Sequence, residues 1–280
     1  MPRTCRFSDR AGSLEIEAET ILISVLQLGT QDYATALKLQ QKLVALRKEN
    51  RIGDVLLLLE HPPVITLGRN AQSSHVLATP ELLAQRSVEV LECDRGGDVT
   101  FHGPGQLVGY PIFDLRAFTD AEGHRKTLGA IEFVRNLEES IIRTCADFRV
   151  PTMRIAKLTG VWTAGSADPA KIAALGIHVS RAVTSHGFAL NVNVDLASFD
   201  LIIPCGLVAK PVTSLERELG AAIPLDRVAE SITRNFGHVF RRQILWLESL
   251  EALLGNAVGL PVRPPAQIRK LHGEDETFSA

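Results

Sequence analysis

The chain has no basic excess. Its 280 residues carry 30 Lys and Arg against 32 Asp and Glu, a formal net charge of −2, so nucleic acid is not an expected partner. No apolar run approaches the ~20 residues that cross a bilayer, and the opening MPRTCRFSDRAGSLEIE lacks the apolar stretch of a secretory leader; no membrane partner is expected. The four cysteines, Cys5, Cys93, Cys145 and Cys205, form no C-x-x-C pair. That speaks against a disulfide framework and against zinc, and makes a reducing, cytoplasmic setting the expectation. There is no Gly-Lys-Ser/Thr, hence no phosphate loop. The run Gly103–Gly109, GPGQLVG, is spaced G-x-G-x-x-x-G and leads into a strand-like segment, whereas a dinucleotide fingerprint opens a helix. His102 and His186 are accompanied by no His-Glu-x-x-His or carboxylate cluster, so no metal is expected.

What the chain does have is material for a core: 45% of it is hydrophobic and 22% charged. Residues 31–48 read as a helix with Tyr33, Ala36, Leu37, Gln40, Leu43 and Val44 on one face and Asp32 at its positive end. Strands are expected at 54–60, 64–68, 88–93 and 106–115, where Pro111 argues for an edge or a bulge. Residues 116–127 read as a polar connector. A helix follows with a stripe through Ile131, Val134, Leu137, Ile141, Cys145 and Phe148, which makes Cys145 a core residue. TGVWTAG, AKIAALGIHVS and AVTSHGFALNVNVD read as three strands, and 225–242 as a helix through Val228, Ile232, Phe236 and Val239. Strands and helices interleave without a strict βαβ period, so one α+β domain is favoured over a doubly wound sheet. Its expected limits are 21–245, between a polar extension at 1–20 and a C-terminal extension at 246–280 whose polar end is expected to be mobile.

The chemistry concentrates in four stretches: Arg95–Gln106, Lys171–Gly176, Ser185–Asn191 and the turn Ile202-Ile-Pro-Cys-Gly-Leu207. Pro204 and Gly206 hold Cys205 at the exit of an apolar run, where a thiol can be aimed. A thiol is mostly protonated at neutral pH and becomes nucleophilic beside a base or a cation. Three residues qualify as its activator: His102, His186, and Lys171, whose five following residues are all apolar or glycine. Composition does not choose among them.

In order and spacing, RGGDVTFHGPGQLVGYPIFDL, KIAALGI, TSHGFALNVNVDL and IIPCGL, preceded by LLLLEHPPVITLGR, resemble the lipoyl(octanoyl) transferases. The resemblance covers roughly residues 24–240. It implies the α+β fold of biotin and lipoate protein ligases, with a mixed, mostly antiparallel sheet flanked by helices. It implies transfer of an octanoyl group from acyl carrier protein to a lysine of lipoyl domains, those of 2-oxoacid dehydrogenases or the glycine-cleavage carrier. Neither ATP nor metal is implied, phosphopantetheine arriving with the carrier, and a monomer is expected. By the same resemblance Cys205 carries the acyl thioester and Lys171 activates it. Substrate contacts carry over onto Arg95, Gly96, Gly97, Asp98, Val99, Thr100, Phe101 and His102, onto Ala174, Leu175 and Gly176, and onto Gly187, Phe188 and Ala189, with His186 in support. Val99, Leu175 and Phe188 are the expected acyl walls. Arg116, Arg154, Lys157 and Lys210 are candidate cations for docking an acidic carrier. The chain departs from the family at Phe101, where tyrosine is common, and at Ala170, where a larger or basic residue is frequent. An ATP-dependent lipoate or biotin ligase, a non-catalytic acyl-binding module, and a thioesterase using Cys205 with His186 are the competing readings.

Overall fold

The segment Asp54–Glu60 dictates the layering. Successive side chains of a strand point to opposite faces, and here both are apolar: Leu56 and Leu58 enter one buried cluster, Val55, Leu57 and Leu59 another. Such a strand needs cover on both sides. The computed structural model describes residues 22–119, 124–203 and 210–257. In chain order these form β1 (Leu22–Thr30), α1 (Tyr33–Lys48), β2 (Asp54–Glu60), β3 (Val64–Leu67), α2 (Pro80–Gln85), β4 (Glu89–Glu92), β5 (Val99–His102), β6 (Gln106–Ile112), β7 (Phe118–Thr119) and β8 (Arg125–Lys126). Then come α3 (Ala130–Asp147), β9 (Thr152–Ile155), β10 (Leu158–Thr163), β11 (Lys171–Ser180), β12 (Val183–Asn191), α4 (Leu215–Leu219), α5 (Leu225–Phe240), β13 (Gln243–Trp246) and α6 (Leu250–Ala257).

Eight strands make the main sheet in the order β13-β1-β2-β6-β12-β11-β10-β9. β13 and β2 run parallel to β1, and the remaining neighbours are antiparallel. A small sheet, β4-β3-β5, stands beside it. Helices α3 and α5 cover one face through Phe133, Leu137, Ile141, Phe236 and Phe240. Helices α1 and α6 cover the other through Ala36, Leu43 and Leu253. The first helix starts where expected because the Asp32 carboxylate accepts the Thr35 N–H at 2.8 Å. The α+β architecture and the mixed, mostly antiparallel sheet are as expected.

Four local expectations are corrected. Ile131 is 79% exposed: seven residues before Glu138, it lies near the same edge of α3 but two turns further out, while the buried stripe runs through Phe133, Leu137, Ile141 and Cys145. Pro111 is not on an edge strand, since β6 lies between β2 and β12. The ladder from β12 stops at Phe188–Gly109 and resumes only as a bridge between Asp114 and Val183. Between them His186 has φ +54° and sends its N–H to Gln40 Oε1 at 2.8 Å, while the Thr184 hydroxyl donates to Pro111 O at 2.7 Å. The proline sits where its missing donor is not needed. Finally, the 116–127 connector contains the β7–β8 pair, with Phe118 buried against Phe240. The boundary expected at 245 falls inside β13, and α6 packs on the core through Leu253.

Candidate active site

Alternation along β5 sorts the first motif. Val99 and Phe101 point into a cluster with Ile65 and Phe199, whereas Thr100 and His102 face a partly open cavity. Val99, expected as an acyl wall, is therefore core, and Phe101 packs edge-on against Phe199. Asp98 turns elsewhere and accepts from His75 Nδ1 and the Gln72 N–H. The cavity takes Arg95 and Gly97 from the loop before β5, Ala174–Gly176 from β11, and His186–Ala189 from β12. Leu175 and Phe188 line it as expected. Tyr33, Val108 and Tyr110 complete it.

Glycines let these walls close. A Cβ on Gly176 would stand 2.5 Å from Gly96 O, and the Gly96 N–H bonds Ile177 O at 3.0 Å; only a bare backbone lets the Arg95–Gly97 loop lie on β11. A Cβ on Gly187 would meet Gly109 O at 2.2 Å.

A second, smaller cavity shares Thr100 and Ala174 with the first and is lined by Lys171, Gln106, Asn191, Phe199 and Val212. The two lie side by side along β11, with Thr100 and Ala174 between them. The register pairs Ala174 with Ala189 and Ile177 with His186, so at ~3.4 Å per residue His186 lies roughly 20 Å along the sheet from Lys171. That separation removes His186 as a base acting beside Lys171. Its Nε2 is engaged by Asp94 Oδ1 at 2.7 Å. Burial holds the His186 pKa below its ordinary value even though Asp94 pulls it upward.

His102 is committed as well. Arg95 Nε and Nη2 donate to Thr66 Oγ1 at 3.1 and 3.0 Å, and that hydroxyl lies 3.5 Å from His102 Nε2. On the other side His102 Nδ1 meets Gln106 Oε1 at 2.7 Å, Gln106 Nε2 donates to Asn191 Oδ1 at 2.9 Å, and Asn191 Nδ2 donates to Thr213 O at 2.9 Å. A backbone carbonyl can only accept. Asn191 must therefore present its NH₂ to Thr213, Gln106 its NH₂ to Asn191, and His102 its Nδ1–H to Gln106. Burial, reinforced by His61 and Arg95, pushes the His102 pKa down to about 3. Neutral, with both nitrogens engaged, His102 is a link in a network and not a free base.

Between that native value of about 3 and the ordinary ~6.5, the unfolded chain binds a proton that the native imidazole refuses, so stability falls as pH falls through this window. Burial lowers His61 and His186 in the same direction. For His102 alone the linkage is about 2 kcal/mol between pH 6.5 and pH 5. Thermal melting followed from pH 8 to pH 5 is expected to drop steadily below 6.5, and His102→Gln is expected to flatten that slope. An unchanged melting temperature across the range would show that the imidazoles are not held neutral.

Lys171 opens β11, buried, with its ammonium 4.8 Å above the Trp162 ring, a geometry that favours a cation. Its backbone is fixed on both sides: its N–H donates to Pro211 O at 2.8 Å, and its carbonyl accepts from Thr213 N–H at 3.0 Å. Cys205 lies outside the described residues. Of the residues flanking residues 204–209, Val212 lines the Lys171 cavity and pairs with Lys171, while Ile202 bridges Val76 and the Ile203 N–H bonds His75 O at 2.8 Å, away from that lining. Among the other thiols, Cys145 is core, its pKa pushed up to about 12 by burial, and Cys93 donates to Leu67 O at 3.4 Å; Cys5 lies outside the described residues.

The docking cations do not form a free patch. Arg116 pairs with Asp114, Arg154 with Glu138 and Glu139, and Lys210 with Asp168; Lys157 has φ +67° in the turn between β9 and β10. Among the described residues no group of three or more His, Cys, Asp or Glu is placed to hold a metal, and no helix is long and apolar enough to cross a membrane. Tyr33, Tyr110, Asp94 and Trp162 are site residues that motif reading passes over. Gln106 and Asn191 were visible only as the last letters of two motifs.

The geometry has counterparts in known proteins. Residues 32–237 match the family model described as the lipoyl protein ligase A/B catalytic domain. Octanoyltransferase from Koribacter versatilis is 58% identical over 254 residues, 91% of this chain and 98% of the relative. Octanoyltransferase from Solibacter usitatus is 50% identical over 226 residues, 81% and 96% of the two chains. Among solved structures, the bipartite lipoate protein ligase of Thermoplasma acidophilum superposes with TM-score 0.64 at 14% identity, covering 85% of this chain and 91% of its own. A lipoate-protein ligase A bound with ATP gives TM-score 0.64 at 13% identity, over 84% and 92%. At that identity the structures speak for the fold, while the family match and the closer relatives speak for kinship: the chain belongs to the lipoyl protein ligase A/B catalytic domain family.

Proposed function

We propose that the chain is an octanoyltransferase of protein lipoylation that works in two stages, through an acyl thioester on Cys205 activated by Lys171. The observation that carries the reading is the cavity around Lys171, which adjoins a largely apolar pocket along β11 and shares Thr100 and Ala174 with it. Relatives at 58% and 50% identity bear the name octanoyltransferase. Lys171 receives the Cys205 proton or holds the thiolate as an ion pair. The thiolate attacks the thioester of octanoyl-acyl carrier protein, and the phosphopantetheine thiol departs. A lysine of the lipoyl domain, arriving neutral, then attacks the acyl-enzyme and frees the thiol. Both the donor bond and the acyl-enzyme are thioesters of similar energy, so the first stage needs no nucleotide. Burying the seven aliphatic carbons of the octanoyl tail, six methylenes and the terminal methyl, contributes ~0.8 kcal/mol each, roughly 5–6 kcal/mol of hold on the chain.

The direct test is transfer from octanoyl-acyl carrier protein to a lipoyl domain in buffer without ATP or divalent metal. Mass gain on the lipoyl domain at an undiminished rate is expected. A strict ATP requirement, with ATP–pyrophosphate exchange, would assign the chain to the ligases instead, and release of free octanoate without an acceptor would mark a thioesterase.

A further inference from the structure

Acyl transfer passes through a tetrahedral centre whether or not the enzyme is acylated on the way, and the oxygen of that centre needs donors. Asn191 lines the Lys171 cavity at 4% exposure. Its Oδ1 is taken by Gln106 Nε2, and its Nδ2 has a single acceptor, Thr213 O. An amide nitrogen carries two protons. Among the described residues the second meets no acceptor.

The amide cannot turn round. Rotation would set Oδ1 against the Thr213 carbonyl and Nδ2 against the Gln106 NH₂, and reversing Gln106 in turn would set its oxygen against Phe101 O, 3.3 Å from the present Nε2. The chain of donors from His102 through Gln106 thus fixes which atom Asn191 offers. Such preorganisation lets a donor stabilise developing charge without first being reoriented.

We propose that Asn191 Nδ2–H is an oxyanion donor of the transfer reaction, a role distinct from the thiol-activating role of Lys171. As the nucleophile's electron pair forms the new bond to the acyl carbon, the carbonyl π pair moves onto oxygen, which accepts the Asn191 hydrogen bond without taking its proton. On collapse that pair re-forms C=O and the bond to the carrier sulfur breaks. The sulfur leaves with the bonding electrons and takes the proton held by Lys171. The proposal rests on the reading that the acyl carbonyl occupies the Lys171 cavity.

Full-length Asn191→Ala and Asn191→Asp are compared with the native enzyme. Asp preserves the volume and the acceptor for Gln106 but cannot donate, so it serves where Ala disturbs folding. For a donor used only in the transition state, the maximal rate is expected to fall about 10²–10³-fold. KM for octanoyl-acyl carrier protein is expected to stay within a few-fold in both, and in Asn191→Ala, which adds no charge, the pH profile of Cys205 alkylation by iodoacetamide is expected to stay in place. Transfer within about threefold of native in a folded variant overturns the proposal. So does a rate loss in Asn191→Ala accompanied by the alkylation shift of Lys171→Ala, because Asn191 would then only hold Thr213 and the strand of Lys171. If Lys171→Ala itself transfers normally, the cavity is not the reaction centre and the underlying reading falls first.

Discussion

Cys205→Ser is expected to abolish octanoyl transfer while Cys145→Ala and Cys93→Ser leave it nearly intact. The contrast follows from context. Cys145 is wholly buried in α3, and its thiol is held protonated, with a pKa pushed up to about 12. Cys93 follows β4, its sulfur bonded to Leu67 O. Neither lines the Lys171 cavity. Cys205 stands between Pro204 and Gly206 in sequence, and Val212, a few residues on, pairs with Lys171 in the wall of that cavity. Cys145→Ala removes a packed sulfur and is expected to cost about 1 kcal/mol or more of stability without touching turnover. Near-normal transfer by a folded Cys205→Ser enzyme would exclude the covalent route.

Lys171→Ala is expected to lower the rate of acyl-enzyme formation by orders of magnitude and to raise the pH at which Cys205 reacts with iodoacetamide. The sign follows from the charge: a neighbouring ammonium favours the thiolate, so removing it raises the thiol's pKa. Lys171→Arg is expected to fail as a rescue. Guanidinium keeps the charge but does not give up its proton, and it is planar where the site holds a compact ammonium over Trp162. Because the backbone of residue 171 is bonded to Pro211 and Thr213 whatever its side chain, both variants should fold, and melting curves near native would confirm it. Normal acylation and an unshifted alkylation profile in Lys171→Ala would remove the lysine from the mechanism. His102 could not easily inherit the role, since both its nitrogens are engaged.

The legible parts of the sequence were those where one period dominates. The apolar run 54–60 gave β2, and the 3.6-residue stripes gave α1 and α5, because burial on a regular element leaves a regular trace. The same logic applied to Val99-Thr-Phe-His102 separates Val99 and Phe101 from the cavity. Treating the whole motif as one wall lost that alternation. Pro111 misled because a local rule about donors cannot see that β12 breaks its ladder at His186, far along the chain. The docking cations misled similarly: Arg154 looks free in sequence but serves the buried carboxylate of Glu138 at 3.1 Å. Lys171 was nameable from its motif, but composition could not rank it above His102 and His186. The resemblance favoured Lys171; the engaged nitrogens of His102 and the distance of His186 along the sheet are features of hydrogen-bond direction and strand register, which have no local signature. The hydrogen-bonded chain through Gln106 and Asn191 is invisible for the same reason, since its partners His102 and Thr213 lie far apart in sequence.

The central claim is a covalent octanoyl-enzyme, and intact-protein mass spectrometry tests it most directly. The native chain is incubated with octanoyl-acyl carrier protein in the absence of any lipoyl domain, and the adduct is mapped after proteolysis. The account predicts one octanoyl group added to the enzyme, on the peptide containing Cys205, labile to hydroxylamine and discharged when a lipoyl domain is supplied. Transfer to the lipoyl domain at full rate with no octanoyl mass ever appearing on the enzyme, or with the mass on a peptide lacking Cys205, would contradict it.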